Sequence, residues 1–162
     1  MAETAKLAAA SFERTLDRLG TRGLGDPEEL GYRAALLVTA EQAWKRHLGT
    51  LLSLDAVRAL LGDVTRQAVH DLVKRGRLLA LERQGARVYP VFQFKGSKPL
   101  PGLTAVLAAL KPADLSHDTI AAWLNRPQPA LRGSSPAEWL HDGRDLAPVV
   151  LAARRTAARL AH

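Results

Sequence analysis

Two short apolar repeats near the middle of the chain have the spacing of amphipathic α-helices. They fall at Leu54, Val57, Leu60 and Leu61 in the first helix, and at Ala68, Val69, Leu72 and Val73 in the second. Ser53 and Thr65 stand before these helices as candidate N-caps, and Gly62 permits a turn with positive φ between them. The pattern therefore predicts two short helices joined by a tight turn.

A basic β-hairpin is predicted directly after the second helix. Residues 78–83 have a strand-like alternation, Gln84-Gly85 suits a two-residue turn, and residues 87–92 return as a second strand. Pro90 has no N–H to donate, so this strand should lie at a sheet edge or end there. Residues 53–92, here called the reader segment, thus have the outline of a helix-turn-helix with a wing.

The polar side chains of the reader segment are of the types that contact DNA. Arg and Gln near a helix N-terminus reach guanine and adenine edges, whereas the Thr65 hydroxyl and backbone N–H suit a phosphate. Arg residues beside a hairpin tip suit the DNA backbone or minor groove. The predicted DNA-binding residues are Thr65, Arg66, Gln67, His70, Lys74, Arg83 and Arg87. The alternative is a small structural unit with solvated charges, in which His70 is only a polar surface residue.

The regions on both sides of the reader segment are predicted to be helical. Residues 1–50 should form two helices, separated by Gly20, Gly23 and Gly25, that either pack on the reader or form a dimer surface. Their apolar positions are Leu7, Ala10, Leu16, Leu19, Leu30, Ala34, Leu37, Val38, Ala43 and Trp44. Residues 95–102 (KGSKPLPG) are predicted to be a linker between a unit at 51–94 and a helical module at 103–162.

Four helices are expected in the last module. The predicted apolar positions of the final helix are Leu146, Val149, Val150, Ala153, Ala157 and Leu160. Ser135, Pro136 and Glu138 form a capping-box pattern. The fold class expected for the whole chain is mainly α, with one short hairpin.

Charge strengthens the DNA interpretation, because the excess of basic residues is concentrated in the middle of the chain. Lys and Arg against Asp and Glu number seven and seven in residues 1–50, nine and four in 51–98, and seven and five in 99–162. The chain has no cysteine, no export signal pattern and no apolar run near the roughly 20 residues that span a bilayer. A cytoplasmic location and no cofactor are expected.

The run from Trp123 to Gly143 resembles the Xre/MbcA/ParS toxin-binding domain of antitoxins. Matching positions are Leu131, Gly133, Pro136, Leu140 and Gly143, and a preceding P-x-x-Q-F segment (Pro90, Gln93, Phe94) is also similar to antitoxins of this class. The resemblance implies a RES-domain toxin that consumes NAD as partner, occluded by a non-enzymatic antitoxin. The toxin-binding residues expected are Leu131, Gly133, Trp139, Arg154, Arg155 and Arg159. Core packing and a solvated helix face are the alternatives for these residues.

The sequence therefore predicts a type II antitoxin that also binds operator DNA as a homodimer to autoregulate its operon. A stand-alone dimeric transcription regulator is the first alternative, and an adaptor that does not bind DNA is the second. An enzyme is disfavoured, because no nucleophile is paired with a base and no Gly-rich loop is placed to hold phosphate.

Overall fold

The computed structural model describes residues 2–20 and 26–161. These residues are mainly helical, with a small antiparallel sheet, as predicted. The helices are α1 Ala2–Arg18, α2 Pro27–Leu48, α3 Leu54–Leu60, α4 Arg66–Lys74, α5 Leu103–Leu110, α6 His117–Asn125, α7 Pro136–His141 and α8 Leu146–Leu160. The strands are β1 Leu51–Ser53, β2 Leu81–Arg83, β3 Ala86–Pro90, β4 Phe94–Lys95 and β5 Lys98–Pro99. No helix in the described ranges is both long and apolar enough to cross a membrane.

Side-chain caps begin the helices at the predicted residues. The hydroxyl of Ser53 accepts the N–H of Ala56 at 3.1 Å, and the hydroxyl of Thr65 accepts the N–H of Ala68 at 3.1 Å. Ser135 completes the predicted capping box of α7 together with Glu138. Each cap satisfies a backbone donor that the first turn of a helix leaves unpaired. These local predictions are confirmed.

The β2–β3 hairpin belongs to a three-stranded sheet with the order β1-β3-β2. Its turn forms at Gln84 and Gly85, which have φ values of 51° and 75°. Strand β3 ends at Pro90 as predicted, yet it is the central strand, because β1 pairs with it antiparallel from Leu51↔Pro90 to Ser53↔Val88. Strand β1 was not predicted, because its three residues are too few to show a strand period.

Residues 43–161 form one compact unit with two apolar clusters. The smaller cluster lies beneath α3, α4 and the sheet, and contains Val57, Val69, Leu78, Tyr89 and Phe94. The larger cluster joins Leu48, Leu79 and Leu81 to the buried faces of α5, α6, α7 and α8. The reader segment and the last four helices therefore share a core.

The predicted linker at residues 95–102 is a folded connection. It contributes the paired strands β4 and β5, and Leu100 within it is 3% exposed. The Lys95 Nζ donates to the carbonyl oxygen of His141 at 2.7 Å, and the Nε2 of that imidazole lies 2.6 Å from the Phe92 carbonyl oxygen. Because these contacts and the common core join the segment to α7, it does not separate two independent modules.

The last helix buries most of its predicted apolar positions. Val149, Ala153 and Ala157 are buried, and Leu146 and Val150 are half-buried. Leu160, which was predicted to face inward, is 54% exposed. It lies in the final turn of α8, and the large core cluster contains no residue of this helix beyond Ala153.

The first unit, residues 1–42, comprises α1 and most of α2. None of the residues of α1 is buried, and several of the predicted apolar positions of this unit are exposed. Leu7, Leu19, Leu37 and Val38 are all at least half exposed, whereas Ala10, Leu16, Leu30 and Ala34 are half-buried. Gly23, Gly25 and the side chains of Ala43 and Trp44, also included in the prediction, lie outside the described residues.

One buried polar side chain is hydrogen-bonded to a residue of the larger apolar cluster. Gln93 is fully buried; its Oε1 accepts the N–H of Leu79 at 2.6 Å, and its Nε2 donates to the carbonyl oxygen of Leu79 at 2.9 Å. The amide thus satisfies both polar groups of one buried residue. Leu79 is not in a strand, and its N–H and carbonyl groups therefore need no backbone partner.

Replacing Gln93 by Ala should lower the free energy of unfolding by roughly 2–4 kcal/mol, because a buried N–H and a buried C=O lose their partners. Urea unfolding followed by tryptophan fluorescence measures the change. The matched control is Gln67→Ala, which makes the same truncation at an exposed site and should change stability by less than about 0.5 kcal/mol. Equal stabilities for the two variants would contradict this role of Gln93.

Candidate nucleic-acid interface

Helix α4 presents a continuous exposed polar face. Arg66, His70 and Lys74 recur every four residues, and Gln67 lies beside them within about 100° of the helix circumference. All four residues are exposed, whereas Val69 on the opposite side is fully buried. Burial of one side therefore fixes which side chains of α4 are available to a partner.

The turn before α4 is held by two residues of α3 that were not among the predicted site residues. Gly62 and Asp63 have φ values of 90° and 59°, which reverse the chain direction. The Arg58 Nε donates to the carbonyl oxygen of Val64 at 2.9 Å, and its Nη1 donates to Asp55 Oδ1 at 3.1 Å. The only sequence signal for this arrangement is an Asp-Arg pair three positions apart on one helix face.

The carboxylate of Asp55 also reaches the first residue of α4. Its Oδ1 lies 3.5 Å from Arg66 Nη2, and both side chains are about 70% exposed (69% and 70%). An exposed ion pair of this length contributes little to stability. The ion pair instead orients the Arg66 side chain: it holds the guanidinium near the N-terminus of α4 and leaves it open to solvent.

The other polar residues of α4 are also oriented by neighbours. The Gln67 Nε2 donates to Asp71 Oδ1 at 2.9 Å, which leaves the carbonyl oxygen of the amide available. The Nδ1 of His70 lies 3.0 Å from Arg87 Nη1 on strand β3. The contact brings a predicted residue of the hairpin to the exposed face of α4. Arg66, Gln67, His70, Lys74 and Arg87 thus line one surface, here called the α4 face.

Arg83, the other predicted hairpin residue, is directed elsewhere. Its Nη2 donates to Asp118 Oδ1 of α6 at 2.6 Å, and its Nη1 donates to the carbonyl oxygen of Glu82 at 2.7 Å. A second contact supports the same junction, since the Nδ1 of His117 lies 2.9 Å from the Ala80 carbonyl oxygen. Arg83 therefore connects β2 to α6.

Replacing Arg83 by Ala should reduce stability by about 1 kcal/mol or less, because its ion pair is about one-third exposed (31% and 37%). Urea unfolding measures this change.

If Arg87 contacts a polyanion and Arg83 does not, Arg87→Ala should weaken that binding more than Arg83→Ala, although each removes one positive charge from the hairpin. A larger effect of Arg83→Ala on binding would contradict the separation of roles.

Tyr89 lies beneath the hairpin and is 2% exposed. Burial raises the pKa of its phenol above the ordinary value, and the opposing influence of the Arg87 charge is smaller. The shift moves ionisation of the phenol further from pH 7, where it is already neutral at its ordinary pKa, so it adds no negative charge next to the α4 face.

The residues that the family resemblance assigned to toxin binding divide into two groups. Leu131 is fully buried, and Trp139 is 9% exposed, with its Nε1 donating to the Asp145 carbonyl oxygen at 2.7 Å. Gly133, in contrast, is exposed. Arg154, Arg155 and Arg159 are exposed on α8. Only the second group is accessible to a partner in this conformation.

The glycines of the motif at residues 123–143 serve turns. Gly133 and Gly143 have φ values of 81° and 68°, a region that glycine enters without a steric penalty. Among the described residues, no group of three or more His, Cys, Asp or Glu side chains is arranged to hold a metal ion.

Comparison with known proteins gives one informative match. A solved structure described as the NMR structure of Rv2175c is similar to this chain with a TM-score of 0.59 and 27% sequence identity. The match covers 67% of this chain and 81% of the other. No protein-family model matches the chain, and no curated protein sequence matches it. The comparison therefore supports a shared fold over about two thirds of the chain.

Proposed function

We propose that this chain is a DNA-binding transcription regulator that uses α3, α4 and the β2–β3 hairpin as a winged helix-turn-helix. The observation that carries the proposal is the α4 face, where four exposed polar side chains of one helix and an arginine of the adjacent hairpin lie together. Helix α4 has nine residues and is about 13 Å long, and the diameter of an α-helix with its side chains, about 10–12 Å, fits the roughly 12 Å wide major groove.

The N-terminal half of α4 would contact base edges. Arg66 can donate two hydrogen bonds to a guanine, and Gln67 can pair with an adenine, once the contacts to Asp55 and Asp71 are exchanged for DNA. Both acceptors belong to exposed contacts, so the exchange has a small energetic cost. The direct reading of sequence would depend on these two side chains.

The remaining residues of the α4 face would contact phosphates. Lys74 lies one turn beyond His70, and Arg87 extends the cationic surface onto the hairpin. The hydroxyl of Thr65 already accepts the N–H of Ala68, so it would act as a donor to a phosphate oxygen. Such contacts fix the orientation of the protein on the duplex and carry no sequence information.

The charge of the second unit agrees with this function. Residues 43–162 carry 18 Lys and Arg against nine Asp and Glu, whereas residues 1–42 carry five against seven. The whole positive excess therefore lies in the unit that contains the α4 face. A polyanion is attracted to this unit and not to the first one.

Binding to a random-sequence duplex at increasing salt tests the polyanion part of the proposal. Fluorescence anisotropy should show affinity falling steeply, with a log–log slope of about −3.6 if each copy neutralises four phosphates. A stand-alone adaptor that does not bind DNA would give no binding, or binding that salt does not weaken. Either of these results would contradict the proposal.

An antitoxin is the second candidate function. The observation that favours it is the folded motif of residues 123–143, with its capping box and its two glycine turns, followed by the exposed arginines of α8. In this proposal Leu131 and Trp139 support the fold of the surface, while Gly133, Arg154, Arg155 and Arg159 meet an acidic surface of a RES-domain toxin. The chain would block access to the active site of the toxin, and the same operator binding would regulate both genes.

Co-expression with the product of the adjacent gene distinguishes the antitoxin from a stand-alone regulator. An antitoxin should restore growth and co-purify with that product, and replacing Arg154, Arg155 and Arg159 together by Glu should abolish both effects. The variant should still bind DNA through the α4 face. If the unmodified chain forms no stable complex and does not relieve toxicity, the antitoxin candidate fails while DNA binding stands.

A further inference from the structure

The first unit exposes an unusual amount of apolar surface. Of the ten large hydrophobic side chains that are exposed among the described residues, seven belong to α1, α2 and the turn after α1. They are Leu7, Phe12, Leu19, Tyr32, Leu36, Leu37 and Val38. Leu37 is 73% exposed and Leu19 is 68% exposed. Scattered single residues of this kind need no explanation, but a concentration of seven in this one unit does.

The apolar positions of α2 do not form the single stripe of a surface helix. Leu30, Ala34 and Leu37 follow one side at helical spacing, whereas Tyr32 and Leu36 lie on the other side, Tyr32 about 200° from Leu30. A helix with apolar residues around most of its circumference is normally enclosed by other helices. In a single copy, however, Leu30 and Ala34 are only half-buried and the other three residues are exposed.

The exposed surface has the size of a stable interface. Residues of this size have full areas on the order of 150–250 Å², so the seven exposed fractions together leave roughly 800 Å². A standard specific interface buries about 800 Å² on each partner. Summed over α1, α2 and the turn after α1, the exposed apolar area is therefore comparable with one side of a standard interface.

Charge indicates which partner fits this surface. With five basic and seven acidic groups, residues 1–42 have no positive excess that would attract nucleic acid or an anionic membrane. Oppositely charged groups also alternate within each helix, as in the Arg33–Glu29 ion pair. Two such units can therefore approach each other without strong net repulsion, whereas the strongly basic second unit would oppose self-association.

We propose that the first unit is the dimerisation unit of this protein and that its occupant is the same unit of a second copy. Two α1–α2 pairs related by a two-fold axis form a four-helix bundle, in which the apolar residues on both sides of α2 are enclosed. Leu36, Leu37 and Tyr32 lie at its centre. The dimer itself stands on the apolar surface and does not require the proposed DNA-binding function.

Dimerisation would complete the DNA-binding site if the proposed function is right. One α4 helix reads only a few base pairs, whereas two readers held on one duplex bind a palindrome with the gain of an intramolecular second contact. The dimer therefore predicts a two-fold symmetric operator with two half-sites.

Sedimentation equilibrium of the full chain tests the proposal without DNA. The chain of 17.5 kDa should sediment at twice that mass, and Leu36→Glu combined with Leu37→Glu should sediment at the mass of one copy. The matched control is Leu151→Glu combined with Leu160→Glu, which adds the same two charges at leucines of α8 that are 48% and 54% exposed, and it should remain dimeric. Circular dichroism establishes that the variants keep their helices, and the milder Leu37→Ala should raise the dissociation constant if the double variant does not fold.

A wild-type chain that is monomeric at all concentrations would overturn the proposal. It would be overturned even if a different protein were found to cover this surface. A dimeric double variant would also overturn it. A dimeric chain with no affinity for DNA would instead contradict the proposed function alone. The two failures are therefore distinguishable.

Discussion

Replacing Arg66 and Gln67 together by Ala should weaken binding to a selected duplex by about 30- to 1000-fold. Each bidentate contact to a base discriminates by about 1–3 kcal/mol; at about 1–2 kcal/mol each, the lower part of that range, the loss of two contacts corresponds to roughly 2–4 kcal/mol. Both side chains are exposed at the N-terminus of α4, so their removal should leave the fold intact. The duplex is obtained by selection of a random pool with the unmodified protein, and anisotropy measures the affinity.

The double variant should lose its preference for the selected duplex over a random duplex more than it loses affinity for DNA in general. Only one of the two residues is charged, so binding to a random duplex should weaken about as much as it does on loss of any single phosphate contact. The matched control is Arg154→Ala, which removes one charge from the exposed face of α8. It should bind the selected duplex like the unmodified protein. An unchanged preference in the double variant would contradict the assignment of α4 as the helix that contacts bases.

Replacing Leu131 by Ala should lower the free energy of unfolding by roughly 2–5 kcal/mol, the range for removing a buried leucine side chain. Leu131 is fully buried and belongs to the large core cluster, which it shares with Trp139 and Leu140. A loss of this size would be a large part of the 5–15 kcal/mol that stabilises an ordinary domain. Urea unfolding measures the loss.

The exposed arginines of α8 provide the contrast to this variant. Arg155→Ala should change stability by less than about 0.5 kcal/mol, because the side chain is exposed to solvent on α8. If Leu131→Ala were equally mild, its side chain would not be a core residue, and direct contact with a toxin would become the better explanation of its place in the motif.

Features that depend on neighbouring residues were predictable from the sequence. The caps at Ser53, Thr65 and Ser135 formed as expected, because an N-cap needs only its own side chain and the following turn. The hairpin turn at Gln84 and Gly85 is equally local, since two residues with positive φ determine its geometry.

Features that join distant residues were not predictable in this way. Strand β1 is defined by its pairing with β3, which lies more than 30 residues later in the chain. The Arg83–Asp118 ion pair spans 35 positions. It directs Arg83 away from the α4 face, although the sequence had predicted that Arg83 and Arg87 act together there. Residues 95–102 were predicted to be a linker because they are rich in Pro and Gly. The same residue types also occur in a short hairpin that packs on a core, as β4 and β5 do.

The predicted surface is therefore smaller than the sequence suggested but better defined. Of the predicted residues, Arg66, Gln67, His70, Lys74 and Arg87 lie on the α4 face, and Thr65 caps the same helix. Asp55 and Arg58 add a supporting network that has only a weak local signal. Burial of Val69 on the far side of α4 determines this arrangement, and amphipathic spacing alone was enough to predict it.

The most direct test of the central claim is a nuclear magnetic resonance titration of the labelled chain with its selected duplex. The backbone amides of residues 65–74 and 84–87 should shift or broaden first, while those of α7 and α8 should change little. Shifts confined to α7 and α8, or to the first unit, would contradict the claim that the α4 face binds DNA.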